Sequence, residues 1–308
     1  MSASGNSAEN DESSTLRERL VRVASFTRSQ ATRVRFEGRG DTIRGQNRTM
    51  SAPSNPSSHP AVMPGAEPMS HVAGSPMGVL VLHGFTGNPS SVRILADAAV
   101  AEGFDVELPR LPGHGTTVED MMTTGWGDWF GEALNAFDRL AQRCERVVVA
   151  GLSMGGLLTL AVGQERPAAG LVCVNPVARM RSPEEVAMVE EFIEDGMTIL
   201  PGIGSDIADP EASESAYEGT PLVPVRSMYF EGVRPRCERW GEITAPLLLF
   251  TSEQDHVVDP ADSAHLAATY GGSVNHVWLQ RSYHVATQDF DKELIVAQAM
   301  EFIHGCAL

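Results

Sequence analysis

Six short apolar runs, separated by stretches of helical periodicity, narrow the folds open to this chain. The runs are Val79-Leu80-Val81-Leu82, Val106-Glu107-Leu108, Arg146 to Ala150, Leu171-Val172-Cys173-Val174, Leu247-Leu248-Leu249-Phe250 and His276-Val277-Trp278-Leu279. Most are apolar without a break. A strand with one wet face alternates apolar and polar residues, whereas an unbroken run suits a strand buried on both faces of a parallel sheet. Helical patterns fill the intervals at about 89–102, 126–143, 154–165, 260–269 and 288–303. Strands alternating with helices predict an α/β fold with a mostly parallel, doubly wound sheet.

Two regions stand outside the alternation. Residues 176–240 contain no strand-like run, only acids and short amphipathic stretches such as Val186 to Ile193. So long an interval between core strands exceeds a connecting loop. It is expected to be an inserted lid over the C-terminal edge of the sheet. Its apolar residues (Val186, Met188, Val189, Phe192, Ile193, Met197, Ile199 and Leu200) either line an acyl tunnel or pack the lid on the body. Its acids Glu184, Glu185, Glu190, Glu191, Glu194 and Asp195 read as a solvated helix face, or as a screen against anionic substrates.

The other region is the N-terminus. Residues 1–50 hold nine arginines against six acids, and 51–76 run through Ser, Pro, Gly and Ala. Residues 1–76 are expected to be a disordered extension, with the folded domain at 77–308. Leu16, Leu20, Val21 and Val23 share a helical face beside Arg17, Arg19 and Arg22. This is read as a transient helix in a tail, or as a basic amphipathic helix in weak contact with anionic lipid. A true start at Met50 or Met63 is a further alternative.

Charge and composition exclude several function classes. The net charge is −17, and residues 51–308 carry 14 cations against 34 anions. Such a body repels a phosphate backbone, so no nucleic-acid partner is expected. Lys292 is the only lysine. No phosphate-binding G-x-x-x-x-G-K-[ST] loop can be written, and a lysine Schiff base is disfavoured. Cys144, Cys173, Cys237 and Cys306 have no metal-binding spacing and read as free thiols in a reducing compartment. No apolar run approaches the ~20 residues of a membrane span, and the polar first residues lack a secretory apolar core. A cytoplasmic location is therefore expected.

The chemistry is written most clearly at Gly151-Leu152-Ser153-Met154-Gly155. This G-x-S-x-G follows the strongest strand and precedes an apolar helix, the setting of a nucleophile elbow. The turn would raise the Ser153 hydroxyl above the sheet edge, while Gly151 and Gly155 let strand and helix pass closely. The first core strand ends in His83-Gly84-Phe85-Thr86-Gly87. Backbone N–H groups after that strand and after the nucleophile form an oxyanion hole in such a fold, which assigns Phe85 and Met154 as donors. A base and an orienting acid should follow later strands. The order Ser153, Asp255, His284 meets that requirement. Glu253 and Asp259 rival Asp255, although an Asp before Pro260 suits a helix cap. His256, His265, His276 and His304 are less well placed than His284.

Taken together, Leu82-His83-Gly84-Phe85-Thr86-Gly87, Leu111-Pro112-Gly113-His114-Gly115, Thr124 to Trp129, Gly151 to Gly156, Gln254-Asp255-His256 and Tyr283-His284-Val285 resemble the bacterial carboxylesterases and monoacylglycerol lipases of the α/β-hydrolase fold. The resemblance covers about 63–308 and implies Ser153 as nucleophile, His284 as base, Asp255 as orienter, and Phe85 and Met154 as oxyanion donors. It also implies a small helical lid, no cofactor or metal, and a small-molecule ester as substrate. The expected activity is hydrolysis of short- to medium-chain esters or monoacylglycerols through an acyl-enzyme, by a monomer or homodimer. A thioesterase, a peptidase and a ligand-binding α/β-hydrolase with little turnover remain as alternatives. A haloalkane dehalogenase is excluded, since its nucleophile is an aspartate and Ser153 stands there.

Overall fold

The computed structural model describes residues 60–202 and 205–307. The arginine-rich segment, with its helical face at 16–23 and the start at Met50, lies outside the described residues.

Among the described residues, nine strands occur in chain order: β1 (Met69–His71), β2 (Met77–Leu82), β3 (Asp105–Leu108), β4 (Arg146–Leu152), β5 (Gly170–Val174), β6 (Ile199–Pro201), β7 (Gly219–Pro221), β8 (Leu247–Ser252) and β9 (Val274–Leu279). Seven form one sheet in the order β1-β3-β2-β4-β5-β8-β9. All pairings are parallel except β1 with β3. The helices are α1 (Arg93–Ala101), α2 (Val118–Met121), α3 (Trp126–Ala141), α4 (Met154–Glu165), α5 (Pro183–Glu194), α6 (Leu222–Ser227), α7 (Pro260–Thr269) and α8 (Lys292–Cys306).

The unbroken apolar runs are explained by two cores. In β2, Leu80 and Leu82 face one and Val79 and Val81 the other. In β4, Val147 and Val149 part from Val148 and Ala150 in the same way; in β8, Leu247 and Leu249 part from Leu248 and Phe250. Each strand keeps its period of two, with both faces buried. Helices α3, α4 and α7 cover the first face, and α1 and α8 the second. Helix α4 is buried from Met154 through Val162, which is why its sequence is apolar all round rather than striped.

Order begins earlier than residue 77. Strand β1 pairs Met69 with Leu108, Ala66 is buried, and the Met63 N–H donates to the Gly115 carbonyl at 2.8 Å. The Asp105 carboxylate accepts the N–H groups of Ala73, Gly74 and Ser75 at 3.0, 2.9 and 3.0 Å, and Arg143 Nε at 2.7 Å. The Ser, Pro and Gly composition concealed this segment because most of its anchors are hydrogen bonds to the body, from Gly115, β3 and Asp105, with few apolar residues of its own.

The insertion also differs from expectation. Residues 176–240 contain an antiparallel pair, β6 with β7, besides α5, α6 and a π-helical turn at Met228–Val233. Three-residue strands ending in Pro201 and Pro221 are too short for a periodic signal. Phe192 and Leu200 are buried, Glu185 closes a capping box with Ser182, and Arg226 pairs with Glu190 at 2.6 Å. A second part is strapped to the body. Ala208 and Asp209 donate N–H to Asp289 at 2.7 and 3.0 Å. Asn88 Nδ2 donates to the Ser215 carbonyl at 2.6 Å, and the Tyr217 hydroxyl donates to Gly113 at 2.8 Å.

Candidate active site

The register brings several strand ends to one edge. Leu82 lies beside Gly151, Leu152 beside Val174 and Ser252 beside Leu279. The loops leaving this edge carry Phe85, Ser153, Asp255 and His284.

Ser153 sits at φ 59°, ψ −116° between β4 and α4. That left-handed geometry costs a serine about 1–3 kcal/mol and persists only where the surroundings enforce it. Here the Ser153 N–H donates to Val174 at 2.9 Å, and its carbonyl accepts from Leu157 at 3.1 Å. A methyl group on Gly151 would collide with the Gly155 carbonyl, and one on Gly155 with the Leu82 carbonyl. The two glycines are therefore needed for strand and helix to pass at this separation. The twelve residues of α4 direct their N-terminus at the turn, which favours negative charge there.

The loop after β2 lies against the elbow. A Cβ on Gly84 would stand 3.4 Å from Ser153 Cβ. Among the described residues, the N–H groups of Phe85 and Met154 have no hydrogen-bond acceptor. His83 braces this loop: its Nδ1 donates to the Gly84 carbonyl at 3.0 Å and its Nε2 accepts from the Leu111 N–H at 3.1 Å. Burial, with His114 and Arg110 nearby, holds the His83 pKa well below 6.5, so the ring is a neutral strut. The Phe85 ring packs edge-on to Trp129 at 5.8 Å.

His284 Nδ1 donates to Asp255 Oδ2 at 2.7 Å, with side chains only 8% and 2% exposed. Asp255 Oδ1 accepts the N–H groups of Val257 and Val258, each at 2.8 Å. Burial depresses the His284 pKa, but the Asp255 carboxylate, its hydrogen bond, Asp206 and Glu214 outweigh it, so the net direction is above 6.5. The rivals lie elsewhere. Asp259 caps α7, accepting the Ala261 N–H at 2.8 Å, and Glu253 is exposed. His276 contacts Thr251 at 2.8 Å and His304 contacts Glu102 at 3.1 Å.

A model of the Alpha/beta hydrolase family matches residues 79–297. The chain belongs to that family. A thermostable monoacylglycerol lipase of Bacillus sp. (strain H-257) is 38% identical over 250 residues, spanning 78% of this chain and 95% of the relative. A carboxylesterase of Bacillus subtilis (strain 168) is 26% identical over 235 residues, 75% and 93% of the two chains. A solved structure from work on LipS and LipT, two metagenome-derived lipolytic enzymes, superposes with a TM-score of 0.74 at 41% identity, covering 80% of this chain and 100% of the other. This α/β-hydrolase thus has esterases and acylglycerol lipases as its relatives, in keeping with the resemblance read from its motifs.

Three polar residues at this edge escaped the sequence reading. Asn175, at φ 46° just past β5, accepts the Ser252 N–H at 2.8 Å and donates to the His284 carbonyl at 2.8 Å. Asp206 binds His256 and the main chain of His284. Burial pushes the Glu214 carboxyl up to about 7, with His284 opposing and Asp206 reinforcing; its Oε1 would stand 2.9 Å from a Cβ on Gly87. No motif marks them, since two belong to the insertion. Among the described residues no group of three or more His, Cys, Asp or Glu could hold a metal ion, and no helix is long and apolar enough to cross a membrane.

Proposed function

We propose that this α/β-hydrolase cleaves carboxylic esters through a Ser153–His284–Asp255 triad, with short- to medium-chain esters or monoacylglycerols as substrates. The 2.7 Å pairing of His284 with Asp255, on a loop at the edge that carries the strained Ser153 turn, is the observation that carries the proposal. Esterase and monoacylglycerol lipase relatives support the same reading.

In this mechanism Asp255 fixes the imidazole with Nδ1 protonated, leaving the Nε2 lone pair for the Ser153 hydroxyl. His284 takes that proton as Ser153 Oγ bonds to the ester carbonyl carbon. The oxyanion is held by the Phe85 and Met154 N–H groups, which already lack internal acceptors. Donors fixed before reaction need no reorganisation, and loss of one typically raises the barrier by about 3–4 kcal/mol. The C–O bond then breaks, His284 protonates the leaving alcohol, and an acyl-Ser153 remains. Water, deprotonated by His284, repeats the attack and releases the acid.

Glu214 supports an acylglycerol over a simple alkyl ester. A carboxyl titrating near pH 7 beside the oxyanion loop offers both a donor and an acceptor to a hydroxyl on the alcohol side. Residues 176–240 would then act as the lid. Ser153→Ala tests the triad: hydrolysis of p-nitrophenyl butyrate is expected to vanish while the Tm stays nearly unchanged, and retained turnover would sink it.

A further inference from the structure

The Asp206 carboxylate joins the loop of the acid to the loop of the base. Its Oδ2 accepts the His256 N–H and the His284 N–H, both at 3.1 Å. Its Oδ1 accepts from His256 Nδ1 at 2.8 Å. Its own carbonyl accepts the Val285 N–H at 3.1 Å. The His256 ring, so held, stands edge-on to Tyr283 with centroids 4.6 Å apart. Residues 256, 284 and 285 are thus held by one residue, whose side chain is only 10% exposed. A buried carboxylate satisfied by three donors is costly to place and is rigid once placed.

We infer that Asp206 is a positioning residue for His284: it fixes the main chain of the base relative to the acid loop and adds a second negative charge behind the one on Asp255. The inference rests on the triad reading above. The charged groups facing His284 are Asp255 from the acid loop and Asp206 and Glu214 from the insertion. The base loop is further held by Asp289, which accepts the Tyr283 N–H at 2.8 Å, and by Asp291, which accepts the Arg281 N–H at 3.1 Å. The Arg281 guanidinium lies over Phe290, 5.1 Å from the ring centre. Asp289 and Asp291 already anchor the loop, so a third carboxylate for anchorage alone would be redundant. The contribution specific to Asp206 is its double hold on acid loop and base, together with its charge.

Two substitutions separate charge from geometry. In Asp206→Asn the amide oxygen can take the two N–H donors, and the NH2 can donate to His256 Nδ1 in its other neutral tautomer, so the hold survives without the charge. The acid-limb midpoint of kcat/KM on p-nitrophenyl butyrate is expected to move down by about half a unit, with plateau kcat within about twofold of wild type. Asp206→Ala loses the hold as well; plateau kcat is expected to fall about tenfold or more with KM little changed, since misplacing the base slows chemistry rather than binding. A clamp serving stability alone would lower Tm and leave both readouts in place.

An Asp206→Asn midpoint equal to wild type overturns the inference, and so does Asp206→Ala with wild-type plateau kcat. If the alanine variant does not fold, the asparagine pH profile decides. Ser153→Ala separates the two levels. An inactive Ser153→Ala beside an unshifted Asp206→Asn removes only the role of Asp206, whereas an active Ser153→Ala removes the triad itself.

Discussion

His284 and Asp255 meet through one hydrogen bond of 2.7 Å, and the second oxygen of Asp255 is tied to two backbone N–H groups. The carboxylate therefore cannot swing away, and it fixes Nδ1 as the protonated nitrogen of His284. Asp255→Asn keeps the shape but lets an NH2 face Nδ1, which favours the wrong tautomer. Loss of roughly 10⁴-fold in kcat is expected, with Tm close to wild type. Steady-state kinetics beside a thermal melt would check it; a loss below tenfold would mean that Asp255 does not orient the base.

The acid limb of kcat/KM should have its midpoint above 6.5. The His284 pKa is raised over its ordinary 6.5 because the Asp255, Asp206 and Glu214 charges outweigh burial. A general base acts when neutral, so activity rises as pH climbs through that raised value. A midpoint below 6.5 in the free enzyme would contradict the charge arrangement.

Glu214 couples pH to stability. Its folded pKa, about 7, exceeds the ordinary 4.5 because of burial. The protonated carboxyl is thus favoured in the fold. Its contribution is complete below pH 4.5 and is lost as pH rises through about 7. Glu214→Gln should therefore raise Tm at pH 8 more than at pH 5. The same variant should lower the acid limb of kcat/KM, having removed a charge that raises His284. Equal Tm changes at the two pH values would refute the buried placement.

Asp105 serves the fold rather than the chemistry. It binds three successive N–H groups of residues 73–75 and the Arg143 guanidinium. Asp105→Ala leaves Arg143 with Glu107 as its remaining carboxylate partner and strips the acceptor from the N–H groups of residues 73–75 between β1 and β2, at a cost of about 1–3 kcal/mol. Denaturant unfolding should register that loss while kcat per folded molecule stays unchanged. An intact stability would show that residues 73–75 are held by other means.

What was legible in the sequence follows from what carries a period or a motif. Helices α4 and α7 matched at both ends, because an elbow opens the first and Asp259-Pro260 the second. Strands β2, β4, β5 and β8 were legible because burial on both faces leaves the run apolar, with only Arg146, exposed at the start of β4, polar. Strand β1 was not, since its three residues are too few to alternate and its partners, 106–108 of β3, are distant in sequence. In the insertion, β6 and β7 are too short to show alternation. Asp206, Glu214 and Asn175 were hidden for a related reason: Asp206 and Asn175 act through hydrogen bonds to loops 50 or more residues away, Glu214 lies beside the distant Gly87, and single polar residues leave no spacing to read. The motif-borne residues Ser153, Asp255 and His284 could be proposed from the sequence because chain order constrains them, and the structure carries them on loops at one sheet edge.

The most direct measurement is labelling of the native protein with a serine-directed phosphonate, located by peptide mass spectrometry. The triad reading predicts one adduct per chain, on Ser153, formed at a rate that rises with pH through the His284 titration and abolished in Ser153→Ala. No adduct, or an adduct on another serine at the same rate, would contradict it.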